Sequence, residues 1–447
     1  MNKKNSAYFG IILLHVLIGY LVFILPILAF AYSILISVIG IIWVVKTKNR
    51  NNEVLLVSAY FVGIEVFLRM TSGIPLYEFC KYSVMFFMIL GMIYKGISKN
   101  GILFWVNLLL LVPGIVIGIA TLENTDRIRK DILFNISGPL CLAIAALYCL
   151  DKKITISQLN RLLLFIGLPI ISCLTYLFFY TPNLKDVTFG TDSNPLLSGS
   201  FGANQVSTIL GLGMFIFFTR LILESKNLII FLLNLLITFY VTYRGILTFS
   251  RGGMVTGLLM ILVFSAYIYI FSKSKTKFKL GFIYFFFGGL LISAFIYTSF
   301  QTNGSIDKRY ANQNVAGNKK GDITTGRVDI FATEIEMFLD NPVFGVGVGK
   351  GAEIRQEKTG VAMNSHDEIS RTLAEHGSLG VISLLILFLT PFFLYRNNKQ
   401  HIYLFPFLTF WFLTINHAAM RTAAPCFIYA LTLLTVKFDE SDFVTKL

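Results

Sequence analysis

Long apolar stretches recur along almost the whole chain, and they constrain its fold more than any other feature of the sequence. Most have roughly 16 to 20 residues, about the length that a helix rising 1.5 Å per residue needs to cross a hydrocarbon core. We count about fourteen, at 8–25, 29–45, 54–68, 82–94, 101–120, 132–150, 162–180, 204–222, 228–243, 253–271, 280–299, 378–395, 402–417 and 421–436. The first two are separated only at Pro26 and form either a tight hairpin or one broken helix. The sequence therefore predicts an all-α polytopic membrane protein with about 12–14 transmembrane helices.

The composition excludes several classes of protein. Only 14% of the residues are charged and the mean hydropathy is +0.71, a combination that soluble globular domains of this length do not have. The formal net charge of +14 is compatible with a nucleic-acid partner, but the basic residues form no single patch and lie between the apolar runs. The five cysteines are scattered without metal-ligand spacing. We therefore expect no nucleic-acid partner, no disulfide framework and no metal site.

The distribution of Lys and Arg predicts the orientation in the membrane. With the N-terminus in the cytoplasm, about 20 of them lie on the inner side and about 9 in the short outer loops, as the positive-inside rule requires. The first apolar stretch has no small-residue cleavage site after it, so we expect it to be retained as a helix. Both termini are then cytoplasmic. The outer connections favour Arg over Lys, with Arg69, Arg127, Arg129, Arg244, Arg251 and Arg421.

Two polar regions interrupt the apolar pattern. The smaller, 181–203, is rich in Pro, Gly, Ser and Asn, which is typical of a loop. The larger, 300–377, has about 78 residues and is predicted to be an outer loop with structure of its own. The chain is thus predicted to consist of transmembrane helices 1–11 in 1–299, this loop, and the last three transmembrane helices with a cytoplasmic tail in 378–447.

The large loop contains an amphipathic pattern followed by a glycine-rich turn. Apolar residues recur at helical spacing and stop before Asn341 and Pro342, at Val328, Phe331, Ile335 and Phe338. The spacing predicts a helix whose apolar face lies on the membrane domain. The next segment, VFGVGVGKG, is predicted to be a turn.

A histidine near the end of the large loop is the leading candidate for proton transfer. Ser365 followed three residues later by Glu368 is typical of a capping box, which places His366 in the first turn of a helix. That helix is predicted to run to about His376 and to end at Gly377. The positive end of a helix favours a neutral imidazole at pH 7, which can accept a proton. The alternative is a capping-turn histidine exposed to water.

Two arginines mark the predicted outer ends of the ninth and tenth apolar runs. In YRGILTFSRGGMVTG, Arg244 and Arg251 both lie next to small residues. The planar guanidinium binds phosphate oxygens in bidentate fashion and keeps its charge, so a diphosphate headgroup at the lipid surface is a natural ligand. The alternative is that both arginines are interfacial anchors.

The order of these motifs resembles the O-antigen ligase and polymerase family of bacterial membrane proteins. The matching segments span roughly 250–380, a little under a third of the chain: Ser250–Gly253, Gly326–Arg327, Asp340–Pro342 with Gly345, Gly347 and Gly349, His366–Asp367, and Gly377–Gly380. The ligase branch has Asn, Ser or Gln where this chain has Asp367, and a small hydroxyl pair where it has Val381 and Ile382. These departures favour a polymerase over a ligase.

The resemblance implies a GT-C-like, metal-independent, inverting glycosyltransferase at the periplasmic face of the bacterial inner membrane, with no cofactor. Its donor would be an undecaprenyl-diphosphate-linked glycan, and its acceptor a sugar hydroxyl of a glycan or of lipid A core. By position in the motifs, Arg251 and Arg327 are the first candidates to bind the diphosphate, with Arg244 third. His366 would activate the acceptor hydroxyl, while the arginines stabilise the charge of the leaving group.

Further ionisable residues are candidates for supporting roles. Asp367 or Glu375 could orient His366, and Arg371, about one turn beyond Asp367, could pair with it. Glu65 and Arg69 are spaced to pair on one helix face, with a contact to the substrate headgroup as the alternative. Residues that could reach the same cavity are Arg421 and His417, with Asn204 and Gln205 as weaker candidates.

Two other functions compete with this interpretation. A lipid-linked oligosaccharide flippase would also have many helices, but such transporters usually contain repeated halves, and we find no internal repeat. A protein O-oligosaccharyltransferase would share donor and mechanism and use a Ser or Thr acceptor, which the sequence hardly distinguishes. The expected partners are the donor, the acceptor and membrane lipids, with other polysaccharide assembly proteins as further candidates.

Overall fold

The computed structural model describes residues 3–123, 128–181, 190–321, 326–360 and 365–438. Arg127 and residues 182–189 of the predicted 181–203 loop lie outside these ranges.

Helices form most of the described chain. In order they are α1 (Lys3–Ile24), α2 (Ile27–Thr47), α3 (Glu53–Met70), α4 (Phe79–Lys95), α5 (Ile102–Thr121), α6 (Ile128–Cys149), α7 (Ile156–Tyr180), α8 (Ala203–Leu223), α9 (Leu228–Leu247), α10 (Arg251–Phe271), α11 (Ser274–Gln301), α12 (Ser305–Tyr310), α13 (Arg327–Asp340), α14 (Lys350–Thr359), α15 (Glu368–Tyr395), α16 (Leu404–His417) and α17 (Ala423–Leu431). The other described elements are short 3₁₀ turns at Lys99–Gly101 and Pro195–Ser198, and a two-stranded sheet of β1 (Lys153–Thr155) and β2 (Thr435–Lys437).

Within the described ranges, ten helices are long and apolar enough to span a membrane, namely α1, α2, α5, α6, α7, α8, α9, α10, α11 and α15. Four other predicted runs are helical but shorter or more charged. The helix α3 contains three ionisable residues, and α4, α16 and α17 have 17, 14 and 9 residues. A helix of 14 residues covers only about 21 Å of a hydrocarbon core of about 30 Å. The predicted all-α polytopic fold is confirmed, with fewer full-length candidate spans in the described residues than the 12–14 predicted.

The first two apolar runs form separate helices. The helix α1 ends at Ile24 and α2 begins at Ile27, with Pro26 between them. Because proline lacks an N–H and clashes with the preceding turn, the helix breaks there. Prolines inside other helices, such as Pro113 and Pro169, do not end them, as is common in membrane helices.

The chain divides into two compact units. Unit 1 comprises Met1–Ser83, Ile154–Lys320 and Val436–Leu447. Its helix α8 is buried along nearly its whole length and packs against α10. Glycines allow this close approach, since a Cβ added at Gly253 would overlap the backbone of Ser207. The close packing fixes the start of α10, where the SRGG motif lies.

Unit 2 comprises Val84–Lys153 and Gly321–Thr435. Within it, α15 packs against α5 and α13, and α17 packs against α6. The predicted glycine-rich turn lies against α15 through backbone hydrogen bonds, from Val346 N–H to the Ala374 carbonyl (2.8 Å) and from Gly347 N–H to the Glu375 carbonyl (3.2 Å). Gly345 has φ +73°, and a Cβ there would lie 2.5 Å from the Ala374 carbonyl oxygen, so both conformation and space require glycine.

The helix α15 changes direction at Gly377, which has φ +61° and ψ −142°. The predicted helix end at this glycine is therefore a break in the backbone, and the helix resumes and continues to Tyr395. Pro342 contacts the break, because its carbonyl accepts hydrogen bonds from the N–H (2.8 Å) and the hydroxyl (2.6 Å) of Ser378.

The predicted apolar face of α13 is wrong. The buried residues of this helix are Ile330, Glu334 and Met337, whereas Val328 and Phe331 of the predicted face are 58% and 48% exposed. The spacing of apolar residues is helical, as predicted, but it does not indicate which side is packed. Glu334 is buried because it is paired within unit 2, as shown below.

Candidate functional site

His366 lies just before a helix rather than inside its first turn. The helix α15 begins at Glu368, and its N-cap is Asp367, whose side chain accepts hydrogen bonds from the N–H groups of Ile369 (2.7 Å) and Ser370 (3.3 Å). The predicted capping box at Ser365 is therefore wrong. Aspartate is among the strongest N-cap residues, and here it competes with a serine two positions earlier. His366 is consequently held on a short connection at the positive end of α15.

A small pocket surrounds His366 in unit 2. Its volume is ≈ 50 Å³, and it is lined by Arg327, Ile330, Phe331, Glu334, Ser365, His366, Asp367 and Asn416. The pocket brings together the predicted proton acceptor, the Arg of the GR motif and the residue after the His. The imidazole is exposed to solvent, and it has no hydrogen bond to a described residue. A substrate hydroxyl can therefore reach it.

Desolvation and the nearby arginines both lower the pKa of His366. The pKa of His366 is lowered from 6.5 to about 4, first by desolvation among its neighbours and then by the positive charges of Arg327 and Arg421. This direction agrees with the predicted neutral state at pH 7, with desolvation and the arginines rather than the helix end as its causes. Desolvation raises the pKa of Asp367, and the hydrogen bonds to its capping carboxylate only partly oppose this.

Arg421 holds the backbone next to His366. Its guanidinium donates to the Ser365 carbonyl (2.7 Å) and lies 3.8 Å from the centre of the Phe134 ring. The predicted reach of Arg421 to the same cavity is thus consistent with the structure. His417, at the end of α16, bonds through Nδ1 to the Leu413 carbonyl (2.7 Å).

A buried carboxylate that the sequence analysis missed lies beneath the pocket. Glu334 is 1% exposed, and its Oε1 accepts from Arg355 (3.0 Å). Its Oε2 accepts from the hydroxyls of Ser370 (2.6 Å) and Ser365 (3.2 Å), which flank His366 on both sides. Burial raises the pKa of Glu334, and the serine and arginine contacts only partly oppose this. Glu334 therefore ties α13 to the segment that carries His366.

A second buried cluster stabilises the first half of α15. Arg371 binds Glu368 and, through Nη1, Glu375 (2.6 Å), and it donates through Nη2 to the Asn135 carbonyl (3.2 Å). Glu375 also accepts from Gly349 N–H (3.0 Å). The predicted pairing of Arg371 with Asp367 is wrong, because the capping geometry turns Asp367 toward the helix N–H groups. Glu375 contacts Arg371 and the glycine turn and does not line the pocket of His366.

Arg251 and Arg244 lie in unit 1. Arg251 is the first residue of α10, and the preceding Ser250 donates to the Asn204 side chain (2.8 Å). Arg244 is only 3% exposed and donates to the Thr181 hydroxyl (2.9 Å), while its Nε has no partner among the described residues. Of the two, Arg251 is the more accessible to a phosphate.

Unit 1 holds an additional arginine beside the SRGG motif. Arg309 donates to the carbonyl of Phe249 (3.0 Å), whose φ of +56° marks the turn before the motif. It also pairs with Asp192 (3.2 Å), which pairs with Lys320 as well (2.6 Å). Those contacts lower the pKa of Asp192, with the Lys320 hydrogen bond as the largest cause. No local pattern in the polar stretch after α11 distinguishes Arg309, so only the fold identifies it.

Glu65 and Arg69 form the predicted helix-face pair, at 2.9 Å. The structure adds two residues to it, since Arg69 also contacts Glu78 (3.1 Å), and Glu78 contacts Lys81 (2.8 Å). All four side chains are at most 6% exposed. Their charges balance, so this cluster in unit 1 is a structural network.

Metal ligands are not gathered anywhere in the described parts of the chain, since no group of three His, Cys, Asp or Glu side chains is placed to hold an ion.

Comparison with known proteins identifies a family over part of the chain. Residues 233–385, about a third of the sequence, match the family model described as O-antigen ligase. No curated protein matches the chain at a significant level. The matched range contains the SRGG motif, Arg327 and His366, and it indicates a glycosyltransferase activity of the O-antigen ligase or polymerase type in a multi-pass membrane protein. The predicted resemblance is therefore confirmed over residues 233–385, which are similar to the O-antigen ligase family.

Proposed function

We propose that the protein transfers a glycan from an undecaprenyl-diphosphate donor to a sugar hydroxyl at the periplasmic face of the inner membrane, without a metal and with inversion at the anomeric carbon. One observation carries the proposal: His366, neutral and accessible to solvent, shares a pocket with Arg327 beside a membrane-spanning helix. A neutral imidazole can accept a proton, and a guanidinium can bind the phosphate of a lipid headgroup.

The proposed step is a displacement at the anomeric carbon. His366 accepts the proton of the acceptor hydroxyl as its oxygen attacks the anomeric carbon and forms the new glycosidic bond. The bond between that carbon and the diphosphate oxygen breaks, and undecaprenyl diphosphate leaves with the electron pair. Arg327 stabilises the negative charge of the leaving group, which is how fixed positive charges lower such barriers in water-poor sites.

Donor binding increases the basicity of His366 in this mechanism. In the free protein the pKa of His366 is about 4, and both Arg327 and Arg421 contribute to lowering it. A diphosphate bound to Arg327 compensates its positive charge, so the pKa of His366 rises once the donor is bound. The imidazole thus becomes a better proton acceptor when the leaving group is in place.

We also propose a diphosphate-binding role for Arg251, with Arg244 as the weaker candidate. The assignment of Arg251 is based on its place in the SRGG motif, which lies within the residues that match the family. Burial of Arg244 and its bond to Thr181 favour a structural role for this residue.

Product analysis after reconstitution tests the proposal. The purified protein is incubated with an undecaprenyl-diphosphate glycan and alternative acceptors, and the products are separated on a gel. We favour a polymerase, which gives a ladder of lengths, whereas a single shift on lipid A core means a ligase and labelling of a Ser or Thr peptide means a protein O-oligosaccharyltransferase. Lipid-linked glycan that crosses liposomes unchanged would instead mean a flippase.

Chelation tests the metal independence. We expect EDTA to leave the rate of transfer unchanged, because the proposed charge stabilisation is supplied by guanidinium groups. Loss of transfer in EDTA that a divalent metal restores would contradict this part of the mechanism.

A further inference from the structure

An exposed apolar surface runs along α13. We call it the α13 stripe, and it consists of the exposed Val328, Phe331, Ala332 and Leu339 together with the half-buried Ile335 and Phe338. Val328, Phe331 and Leu339 are 58%, 48% and 67% exposed, although each is a large apolar side chain. The helix α13 is not among the candidate membrane spans of the described residues, so bilayer lipid does not by itself account for this apolar surface.

One end of the stripe opens into the pocket of His366. Phe331 belongs to the stripe and also lines that pocket, together with Arg327. A ligand whose charged group lies at Arg327 can therefore extend an apolar tail directly onto the stripe.

The other end of the stripe reaches the membrane-spanning part of α15. After α13 the chain exposes Val343 and Phe344, by 54% and 52%, and the preceding Pro342 is bonded to Ser378. From Ser378 the helix α15 continues as a candidate span whose outward side chains are apolar, including Ile382 and Phe393, 45% and 66% exposed. The stripe thus joins the pocket to a lipid-facing surface within unit 2.

The polar residues of α13 next to the stripe are not those of a helix that lies on a membrane surface. Helices that lie on membranes usually carry Lys and Arg on the polar face, which attract anionic headgroups. The exposed polar residues of α13 beside this stripe are instead acidic, at Asp329, Glu336 and Asp340, and the neighbouring Lys358 is paired with Glu336. A single neutral hydrocarbon chain fits such a surface better than a layer of phospholipid headgroups.

We propose that the α13 stripe binds the polyprenyl chain of the lipid-linked donor, an inference that rests on the proposed function. The diphosphate lies at Arg327, and the first isoprene units follow the stripe from Phe331 toward Leu339. Eleven residues of helix separate Val328 from Leu339, a path of about 17 Å. Beyond Val343 the chain enters the bilayer along α15.

The test compares donors that differ only in the length of the prenyl chain. One is the undecaprenyl-diphosphate glycan, and the other carries the same glycan diphosphate on a short, water-soluble prenyl group. The variant is Phe338→Ser combined with Leu339→Ser, which changes the stripe at its far end from the pocket. The matched control is Glu336→Ser, an exposed change on the acidic flank of the same helix.

We expect the double variant to lose about tenfold in kcat/KM with the long donor, equivalent to about 1.4 kcal/mol, and to change less than about twofold with the short donor. The Glu336→Ser control should change less than about twofold with both. Equal losses with both donors would overturn the inference, because they would mean a structural defect. Unchanged rates with both would also overturn it and would assign the stripe to ordinary membrane lipid.

Binding of undecaprenyl diphosphate alone separates this inference from the proposed function. We expect the wild-type protein to bind it about tenfold more tightly than the double variant, measured by ligand-induced thermal stabilisation in detergent. If wild-type protein transfers glycan from neither donor, the proposed function fails, while this difference in binding still supports the stripe. Equal binding by wild type and variant would overturn the stripe even if transfer is observed.

Discussion

Glu334 provides the sharpest test of the site, because its ion pair is buried whereas a second ion pair between the same two helices is exposed. Both pairs join α13 to α14. Glu334 and Arg355 are 3.0 Å apart with side chains 1% and 5% exposed, whereas Glu336 and Lys358 are 2.9 Å apart with side chains 61% and 50% exposed. The two distances are nearly equal, so a difference in stability reflects the burial of Glu334 together with its bonds to the Ser365 and Ser370 hydroxyls.

The perturbation is Glu334→Ala, with Glu336→Ala as the control. Removing one partner of a buried pair leaves the other charge desolvated and costs about 3–5 kcal/mol, whereas an exposed pair contributes about 0–1 kcal/mol. The change at Glu334 also deprives the Ser365 and Ser370 hydroxyls of their acceptor. We therefore expect Glu334→Ala to lower the free energy of unfolding by at least about 3 kcal/mol and the control by less than about 1 kcal/mol.

The assay is thermal unfolding of all variants in the same detergent. Glycan transfer is then measured on the fraction of each variant that stays folded. The folded Glu334→Ala protein should transfer glycan at least about tenfold more slowly, because Ser365 no longer fixes the connection that carries His366. A double change, Glu334→Met with Arg355→Met, should recover much of the lost stability, since it leaves no unpaired charge. Equal stability losses for Glu334→Ala and Glu336→Ala would refute the reasoning. A Glu334→Met, Arg355→Met double variant whose loss equals the sum of the losses of its two single variants would also refute it.

Three further predictions concern the pocket itself. We expect His366→Gln to abolish transfer while the protein stays folded. In the unfolded chain His366 takes up a proton near pH 6.5, whereas in the folded protein it does so only near pH 4. The wild-type protein should therefore lose stability relative to this variant as the pH falls from 6.5 to 4, which the unfolding temperature measured against pH would show. Arg327→Ala and Arg251→Ala should each lower kcat by about 10²–10³, and wild-type rates in gel assays would contradict their roles. Asp367→Asn should keep stability and transfer, whereas Asp367→Ala should lose about 1 kcal/mol in thermal unfolding because only the first retains an N-cap acceptor.

The sequence predicted the part of the site that depends on motif order. It named His366 and Arg327 as functional residues, and unit 2 places them in one pocket. It also identified Arg421, whose guanidinium holds the backbone beside His366. Arg327 was named from its position in the motifs of the resembling family, His366 from those motifs and a predicted helix start, and Arg421 from the predicted topology; their roles stay predictions.

Residues defined by long-range packing could not be predicted. Glu334 lies on a helix with several acidic residues, and nothing local distinguishes it from the exposed Glu336. Its burial depends on Arg355 and Ser370, which are 21 and 36 residues away. The predicted packed side of α13 was wrong for the same reason. The spacing of apolar residues indicates a helix, but the buried partner of Glu334 determines which side of the helix packs.

The structure also changes what the departures from the ligase pattern mean. Asp367 caps α15, and Asn and Ser, which the ligase branch has at this position, are equally good N-cap residues. Asp367 therefore keeps the N-cap of α15, and its presence does not indicate whether the product is that of a polymerase or of a ligase. Ile382 is 45% exposed on the membrane-spanning part of α15, where an apolar side chain in place of a hydroxyl suits contact with lipid. We therefore expect the choice between polymerase and ligase to be encoded in the residues that hold the acceptor, rather than at Asp367 and Ile382.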